Sequence, residues 1–433
     1  MFVVQENRSF DSYFGTYPGA DGIPMKGGTP STCVPDPAAG TCIKPFHDSD
    51  AFDAGGPHTW RASVADVNGG KMDGFIATLQ ASGTFCTNHP ADTRCKRVRT
   101  GPSGAPDVMG WHDAREIPNY WAYADNFTLQ DHMYAPADSW TLPSHLFLVS
   151  GWSASCSNPA DPMSCTSDLR GTDWSHVKTG APPYAWTDIT YLLHKEGVSW
   201  GYYVGPGTCV EVPCSHRSSG DRTGGGTNGP TVPVQNPLPG FSTVHQDGQL
   251  ANVRPHAQFF SQAASGTLPS VSWVMPGVGY GEHPPDPIPP GQAWVTSVVN
   301  AVMKSPDWST TAIFLTWDDW GGFYDHVTPP VVDQNGYGIR VPGMLISPWA
   351  RRGYIDHQTL SSDAYLKLIE ALFLHGQALN PRTDGRPDPR PTVRENVAIL
   401  GDLRREFDFH QQPLPPLILP EHPAPGPASI PGT

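Results

Sequence analysis

Four short stretches built almost wholly of apolar residues constrain this chain more than any other feature: residues 2–4 (FVV), 198–204 (VSWGYYV), 311–316 (TAIFLT) and 341–346 (VPGMLI). Each has strand length without the polar alternation of a half-wet strand, so each reads as a strand of a parallel sheet buried on both faces. Helical periodicities fall between them, at residues 189–196, 293–304 and 364–374. Strands alternating with helices predict a doubly wound α/β fold, its sheet mostly parallel and covered by helices on both faces.

The 45 glycines and 48 prolines, beside only 16% charged residues, imply long ordered loops. Eight cysteines fall into four close pairs: Cys33/Cys42, Cys86/Cys95, Cys156/Cys165 and Cys209/Cys214. Such spacing suits local loop staples made in an oxidising compartment, and none of it is the CxxC-like pattern of a metal site. Residues 215–230 (SHRSSGDRTGGGTNGP) read as a flexible surface loop, too short to separate domains. From residue 411 the composition is that of an extended Pro-rich tail, which leaves residues 1–410 as a single catalytic domain.

The net charge of −14 and the lack of a Lys/Arg run exclude a nucleic-acid partner and disfavour an anionic membrane surface. A small phosphoester or a zwitterionic lipid headgroup remains compatible, with transient contact at a membrane surface. No apolar stretch approaches the roughly 20 residues of a membrane span. The first residues run straight into a polar motif with no signal peptide, so the expectation is a secreted protein whose leader lies outside this sequence.

In α/β sheets, functional groups gather just beyond the carboxyl ends of strands. Glu6-Asn7 and Asp318-Asp319 each follow an apolar run by one residue. Three carboxylates and one amide oxygen suit a hard divalent cation such as Ca2+, Mg2+ or Mn2+. In Ser139-Trp140-Thr141-Leu142-Pro143-Ser144-His145, Thr141 reads as a helix N-cap and Pro143 as a first-turn residue, with Gly151 closing the helix. A helix amino end binds phosphate well, and a hydroxyl there, opposite a metal, can attack phosphorus; plain capping is the alternative. Among the histidines, His58, His132, His283 and His326 sit in motif contexts and are candidates to neutralise phosphoryl charge or protonate a leaving group. No G-x-S-x-G, Walker loop, G-x-G-x-x-G or H-E-x-x-H pattern appears.

Glu6-Asn7-Arg8-Ser9-Phe10-Asp11, Gly69-Gly70-Lys71-Met72-Asp73-Gly74-Phe75 and Leu268-Pro269-Ser270-Val271-Ser272-Trp273 resemble the phosphoesterase family of non-specific phospholipase C and bacterial acid phosphatase. So do Asp318-Asp319-Trp320-Gly321-Gly322-Phe323-Tyr324-Asp325-His326-Val327 and Arg340-Val341-Pro342. The matches run in family order from Glu6 to about Leu374. The resemblance implies an alkaline-phosphatase-like α/β core and a phosphoenzyme mechanism. It implies Glu6, Asn7, Asp318 and Asp319 as metal ligands, Thr141 as nucleophile, His58 and His283 as active-site histidines, and His132 less directly. The family more often has Glu where Asp319 stands, and its later His-Tyr-Asp pattern is not kept around His357.

These features favour a phospholipase C that releases diacylglycerol and a phosphorylated headgroup through a phosphothreonine. A secreted acid phosphatase acting on soluble phosphomonoesters is the first alternative, and a non-catalytic phosphate- or sugar-binding module the second. For a lipid substrate, Trp140, Trp317, Trp320 and Tyr280, with Glu282, are expected to form an aromatic rim able to contact acyl chains or cage a choline ammonium.

Overall fold

The structure, a computed structural model, describes residues 1–82, 101–170, 182–205 and 233–430. Eight strands make the central sheet: β1 (Phe2–Gln5), β2 (Thr128–Gln130), β3 (Trp200–Val204), β4 (Val253–Pro255), β5 (Val271–Val274), β6 (Ile313–Trp317), β7 (Gly343–Ile346) and β8 (Tyr354–Asp356). Their spatial order is β4-β3-β5-β1-β6-β7-β2-β8. All four apolar runs are strands of this sheet. Every pairing is parallel except those of β7, which runs antiparallel to both β6 and β2. The expectation that residues 341–346 are parallel is therefore corrected. A parallel return needs a crossover, usually helical, and residues 318–342 contain no helix.

The helices that frame the site are α1 (Phe10–Phe14), α2 (Pro118–Asn126), α3 (Thr141–Ser150), α4 (Ile189–Lys195), α5 (Ile288–Met303) and α6 (Ser362–Phe373). Alternation along β1 and β6 assigns them to two faces. Phe2 meets Phe314 at 5.7 Å and Tyr365 of α6 at 5.0 Å between ring centroids. Trp317, pointing the other way, meets Tyr120 of α2 at 5.2 Å and Tyr13 of α1 at 5.5 Å. The fold is thus α/β with helices on both faces of a mostly parallel sheet, as the sequence predicts.

Cys33–Cys42 and Cys156–Cys165 form disulfides. The other two cysteine pairs, and the loop at 215–230, lie outside the described residues. The Pro-rich segment beyond residue 411 lies along the protein as an extended strap. Asn300 Nδ2 donates to Leu419 O and Asn119 Nδ2 to Pro420 O, each at 2.8 Å, and Gly426 N donates to Ala114 O at 2.7 Å. No helix among the described residues is long and apolar enough to cross a membrane.

Candidate active site

Gln5 pairs in register with Trp317, so β1 and β6 deliver Glu6 and Asp318 side by side at the carboxyl edge of the sheet. Asp318 N donates to Gln5 O at 2.9 Å, and Glu6 N donates to Gly281 O at 2.8 Å. Asn7 then turns into the left-handed region (φ 63°), which asparagine tolerates better than most residues. That turn lets Asn7 N donate to Asp318 Oδ1 at 3.0 Å and Asn7 Nδ2 to Asp319 Oδ1 at 2.9 Å. Asp319 N donates to Asp318 Oδ1 and Gly321 N to Asp319 Oδ1, both at 2.8 Å. Gly321 also has positive φ (63°), and a Cβ there would lie 2.5 Å from Asn7 O, so only glycine fits.

These bonds consume one oxygen of each aspartate. Asp318 Oδ2, Asp319 Oδ2 and Asn7 Oδ1 are buried with no hydrogen-bond partner among the described residues. Glu6 Oε1 accepts from Gln235 Nε2, which anchors a fourth acceptor in the group. Burial, then the charges of Asp318, Asp319 and Asp286, hold the Glu6 carboxyl well above the usual range. Burial and then the Asp319 charge do the same to Asp318, and burial pushes Asp319 up to about 8. Like charges packed out of water are costly unless a cation joins them. Glu6, Asn7, Asp318 and Asp319 offer the oxygen donors that a divalent ion takes, and three of those oxygens are orphaned.

Thr141 and Asp318 interact across the site, the hydroxyl countering part of the rise in the Asp318 carboxyl. The N-cap of α3 is Trp140 rather than Thr141, and it makes no side-chain capping bond. The capping expectation is corrected: Thr141 is the first helical residue, which leaves its hydroxyl uncommitted to the helix. Gly151 closes α3 in the left-handed region (φ 62°), as expected. Ser139, by contrast, is buried and donates its hydroxyl to Leu169 O.

His58 and His283 pack edge to face, 5.2 Å between ring centroids. Backbone approach brings the first of them in, since Gly56 N donates to Gly321 O at 2.9 Å and Gly56 lies directly against Gly322. His58 Nδ1 donates to Gly56 O at 2.9 Å and His283 Nδ1 to Pro284 O at 2.7 Å, so Nε2 of each neutral ring is the basic nitrogen. Burial lowers the His58 pKa, partly offset by its bond to Gly56 O and then by the Asp318 charge.

Other sequence candidates lie elsewhere. Trp317 and Trp320 are buried in the core, with indole N–H groups given to Glu282 Oε2 at 3.2 Å and Asp66 Oδ2 at 2.9 Å. Glu282 is wholly buried and accepts from Tyr120 at 2.5 Å and Tyr13 at 2.8 Å, beneath the site. These three are removed from the expected rim: large aromatics and a thrice-bonded carboxylate are worth more to the interior than to a wet surface. Trp140 and Tyr280 stay half-buried. His132 Nε2 pairs with Asp21 at 3.0 Å and its Nδ1 with Tyr134 at 3.3 Å, in a cluster that also holds His326. His357 pairs with Asp131 at 2.8 Å and is largely exposed.

Among the described residues, the acidic and histidine side chains that bring three ligand atoms within 4.8 Å of one another are Asp11, Asp325 and His326, and His47, Asp113 and Glu116; Glu6, Asp318 and Asp319 do not come that close together. In the first group the cation is already present: Arg340 binds Asp325 at 2.9 Å and Asp11 at 3.1 Å. Sequence reasoning missed His145 and Gln235. His145 stands four residues after Thr141 on the same helical face, and that spacing was a usable signal. Gln235 reaches Glu6 from a distant loop and carries none.

An oxygen-rich charged cluster at the strand ends of an α/β sheet, with the Thr141 hydroxyl beside Asp318 at a helix amino end, suits the hydrolysis of a phosphoric ester. The family model described as the Phosphoesterase family matches residues 1–374, and the chain belongs to that family. Phospholipase C A of Mycobacterium tuberculosis is 27% identical over 95% of this chain and 77% of its own length. Non-hemolytic phospholipase C of Burkholderia pseudomallei is also 27% identical, over 94% of this chain and 58% of its own length. Among solved structures, a protein of the alkaline phosphatase superfamily from Vibrio parahaemolyticus aligns over 62% of each chain at 14% identity, with a TM-score of 0.35.

Proposed function

We propose that this chain is a secreted, divalent-metal-dependent phospholipase C that works through a phosphothreonine at Thr141. The observation that carries the proposal is the Thr141 hydroxyl, unused by its helix and set against a carboxylate cluster with three orphaned oxygens. The names of the similar proteins point the same way. Two local disulfides accord with an oxidising, extracellular setting.

Glu6, Asn7, Asp318 and Asp319 would hold the ion, which when bound supplies positive charge opposite the amino end of α3. Thr141 Oγ1 attacks phosphorus and its proton passes to the adjacent carboxylate cluster. The bond from phosphorus to the diacylglycerol oxygen breaks, and that oxygen takes a proton from Nε2 of His58 or His283. Burial holds the His58 pKa down against its bond to Gly56 O and the Asp318 charge, so the protonated form depends on the negative charge that a bound phosphoester brings. Water then attacks the phosphothreonine, the same histidine accepts its proton, and the phosphorylated headgroup leaves as Thr141 recovers its hydrogen.

The acidic balance of the chain (−14) favours zwitterionic phosphatidylcholine over anionic lipids. The burial of Trp317 and Trp320 favours the second reading, a phosphatase for soluble monoesters, because it halves the expected rim. Hydrolysis of phosphatidylcholine in mixed micelles, measured beside a soluble phosphomonoester at equal concentration, decides between them. A higher kcat/KM for the lipid, abolished by chelator, is the expected result. A clearly higher value for the monoester overturns the phospholipase reading.

A further inference from the structure

Glu282, the residue before His283, has its backbone in the left-handed region (φ 66°). Asparagine tolerates that region; glutamate does not share its advantage. A backbone so placed persists only where its surroundings over-determine it, and such positions collect at functional sites. Here the side chain is the anchor. Its buried carboxylate accepts from Tyr120 at 2.5 Å on Oε1, and from Tyr13 at 2.8 Å and Trp317 Nε1 at 3.2 Å on Oε2. Those donors stand on α2, α1 and β6, so three elements fix one carboxylate. Arg8 Nε donates to the Tyr13 hydroxyl at 3.1 Å, which turns the Tyr13 hydrogen toward Glu282. α5 closes another side, because a Cβ at Gly291 would lie 2.2 Å from Glu282 Cγ. The flanking residues belong to the site. Gly281 O accepts from Glu6 N at 2.8 Å, and a Cβ at Gly281 would lie 2.5 Å from Glu6 Oε1, so the loop is docked on the strand end that carries Glu6. His283 packs against His58 on the other side.

We propose that Glu282 is a positioning residue: its three-point anchorage holds the left-handed turn that sets His283 against the site, where His283 protonates the oxygen leaving phosphorus. The proposal rests on the phospholipase reading given above and assigns the proton donor within it. As the bond from phosphorus to that oxygen breaks, the Nε2 proton of His283 passes to the oxygen and the ring is left neutral. His58 is then left to counter phosphoryl charge. An apolar residue at position 282 would fill the same space, but it would leave Tyr13, Tyr120 and Trp317 without their acceptor and nothing to hold the turn.

The test compares two soluble esters of phosphocholine on the full chain. The p-nitrophenyl ester has a leaving group that departs without a proton, whereas a short-chain diacylglycerol ester needs one. Glu282→Gly removes the anchor and leaves the backbone free to keep or abandon the turn. Its kcat for the diacylglycerol ester should fall at least about a hundredfold, and for the nitrophenyl ester less than about fivefold. Tyr120→Phe removes one of the three bonds and keeps a ring against Trp317, so it should move the ratio of the two rates the same way by a smaller factor, whether or not Glu282→Gly folds. A merely structural role lowers both rates together, so equal losses on the two esters, or no loss on either, overturn the proposal. Selective loss of the diacylglycerol ester in His58→Gln but not in His283→Gln also overturns it. A wild type inactive on both esters overturns the phospholipase reading itself, and monoesters with the same two leaving groups then carry the comparison.

Discussion

Asn7 Nδ2 and Asp319 Oδ1 meet at 2.9 Å and join positions 312 residues apart in sequence. The bond fixes the amide so that Asn7 Oδ1 joins the orphaned oxygens of Asp318 and Asp319. Asn7 is thus a hinge between folding and chemistry, since one end of its amide ties two strand ends together and the other faces the proposed ion.

Replacing Asp318 or Asp319 by alanine should lower metal content, because each removes a charged ligand oxygen. Asp319→Ala also leaves Asn7 Nδ2 and Gly321 N without their acceptor, at about 1–3 kcal/mol for each buried donor. Elemental analysis checks the first effect and urea unfolding of the metal-free proteins the second. A full complement of metal in both variants contradicts the site as drawn.

The cluster around His326 predicts a pH dependence of stability away from the site. Burial alone would lower the His326 pKa, but the charge and hydrogen bond of Asp11, with the charge of Asp325, outweigh both burial and Arg340 and raise it to about 9. Asp21, 3.4 Å from Nε2, faces the ring from the solvent side. A raised folded-state pKa means stabilisation that is complete below the unfolded value, near 6.5, and is lost as pH rises through about 9. The melting temperature of the wild type should therefore exceed that of His326→Gln at pH 6, and the gap should close by pH 10. A gap that is constant or widens over that interval contradicts the assignment.

Much of this arrangement was legible in the sequence, for identifiable reasons. β1 and β6 are runs of apolar residues, and a carboxylate one position beyond a buried strand has few places to go but the sheet edge. The direction of β7 was misread because apolar composition does not encode strand polarity; the lack of a helical pattern between residues 318 and 342 did. β2, β4, β5 and β8 were missed since three or four residues are too few to show a period. Trp317, Trp320 and Glu282 were placed on the surface because motif position says where a residue falls along the chain, not which way its side chain points. Trp317 points inward simply because it pairs with Gln5, whose side of the sheet is covered by Tyr13 and Tyr120.

The nucleophile is the claim on which the rest depends. Thr141→Ala removes one hydroxyl that makes no capping bond, so α3 and the fold should be unaffected. Turnover of phosphatidylcholine by this variant, at full metal occupancy and with an unchanged circular dichroism spectrum, is the direct test. A fall in kcat of at least about a thousandfold is predicted, the scale on which loss of a covalent nucleophile acts. Retention of more than about a few per cent of the wild-type rate, far above what binding and electrostatics alone sustain, would contradict it.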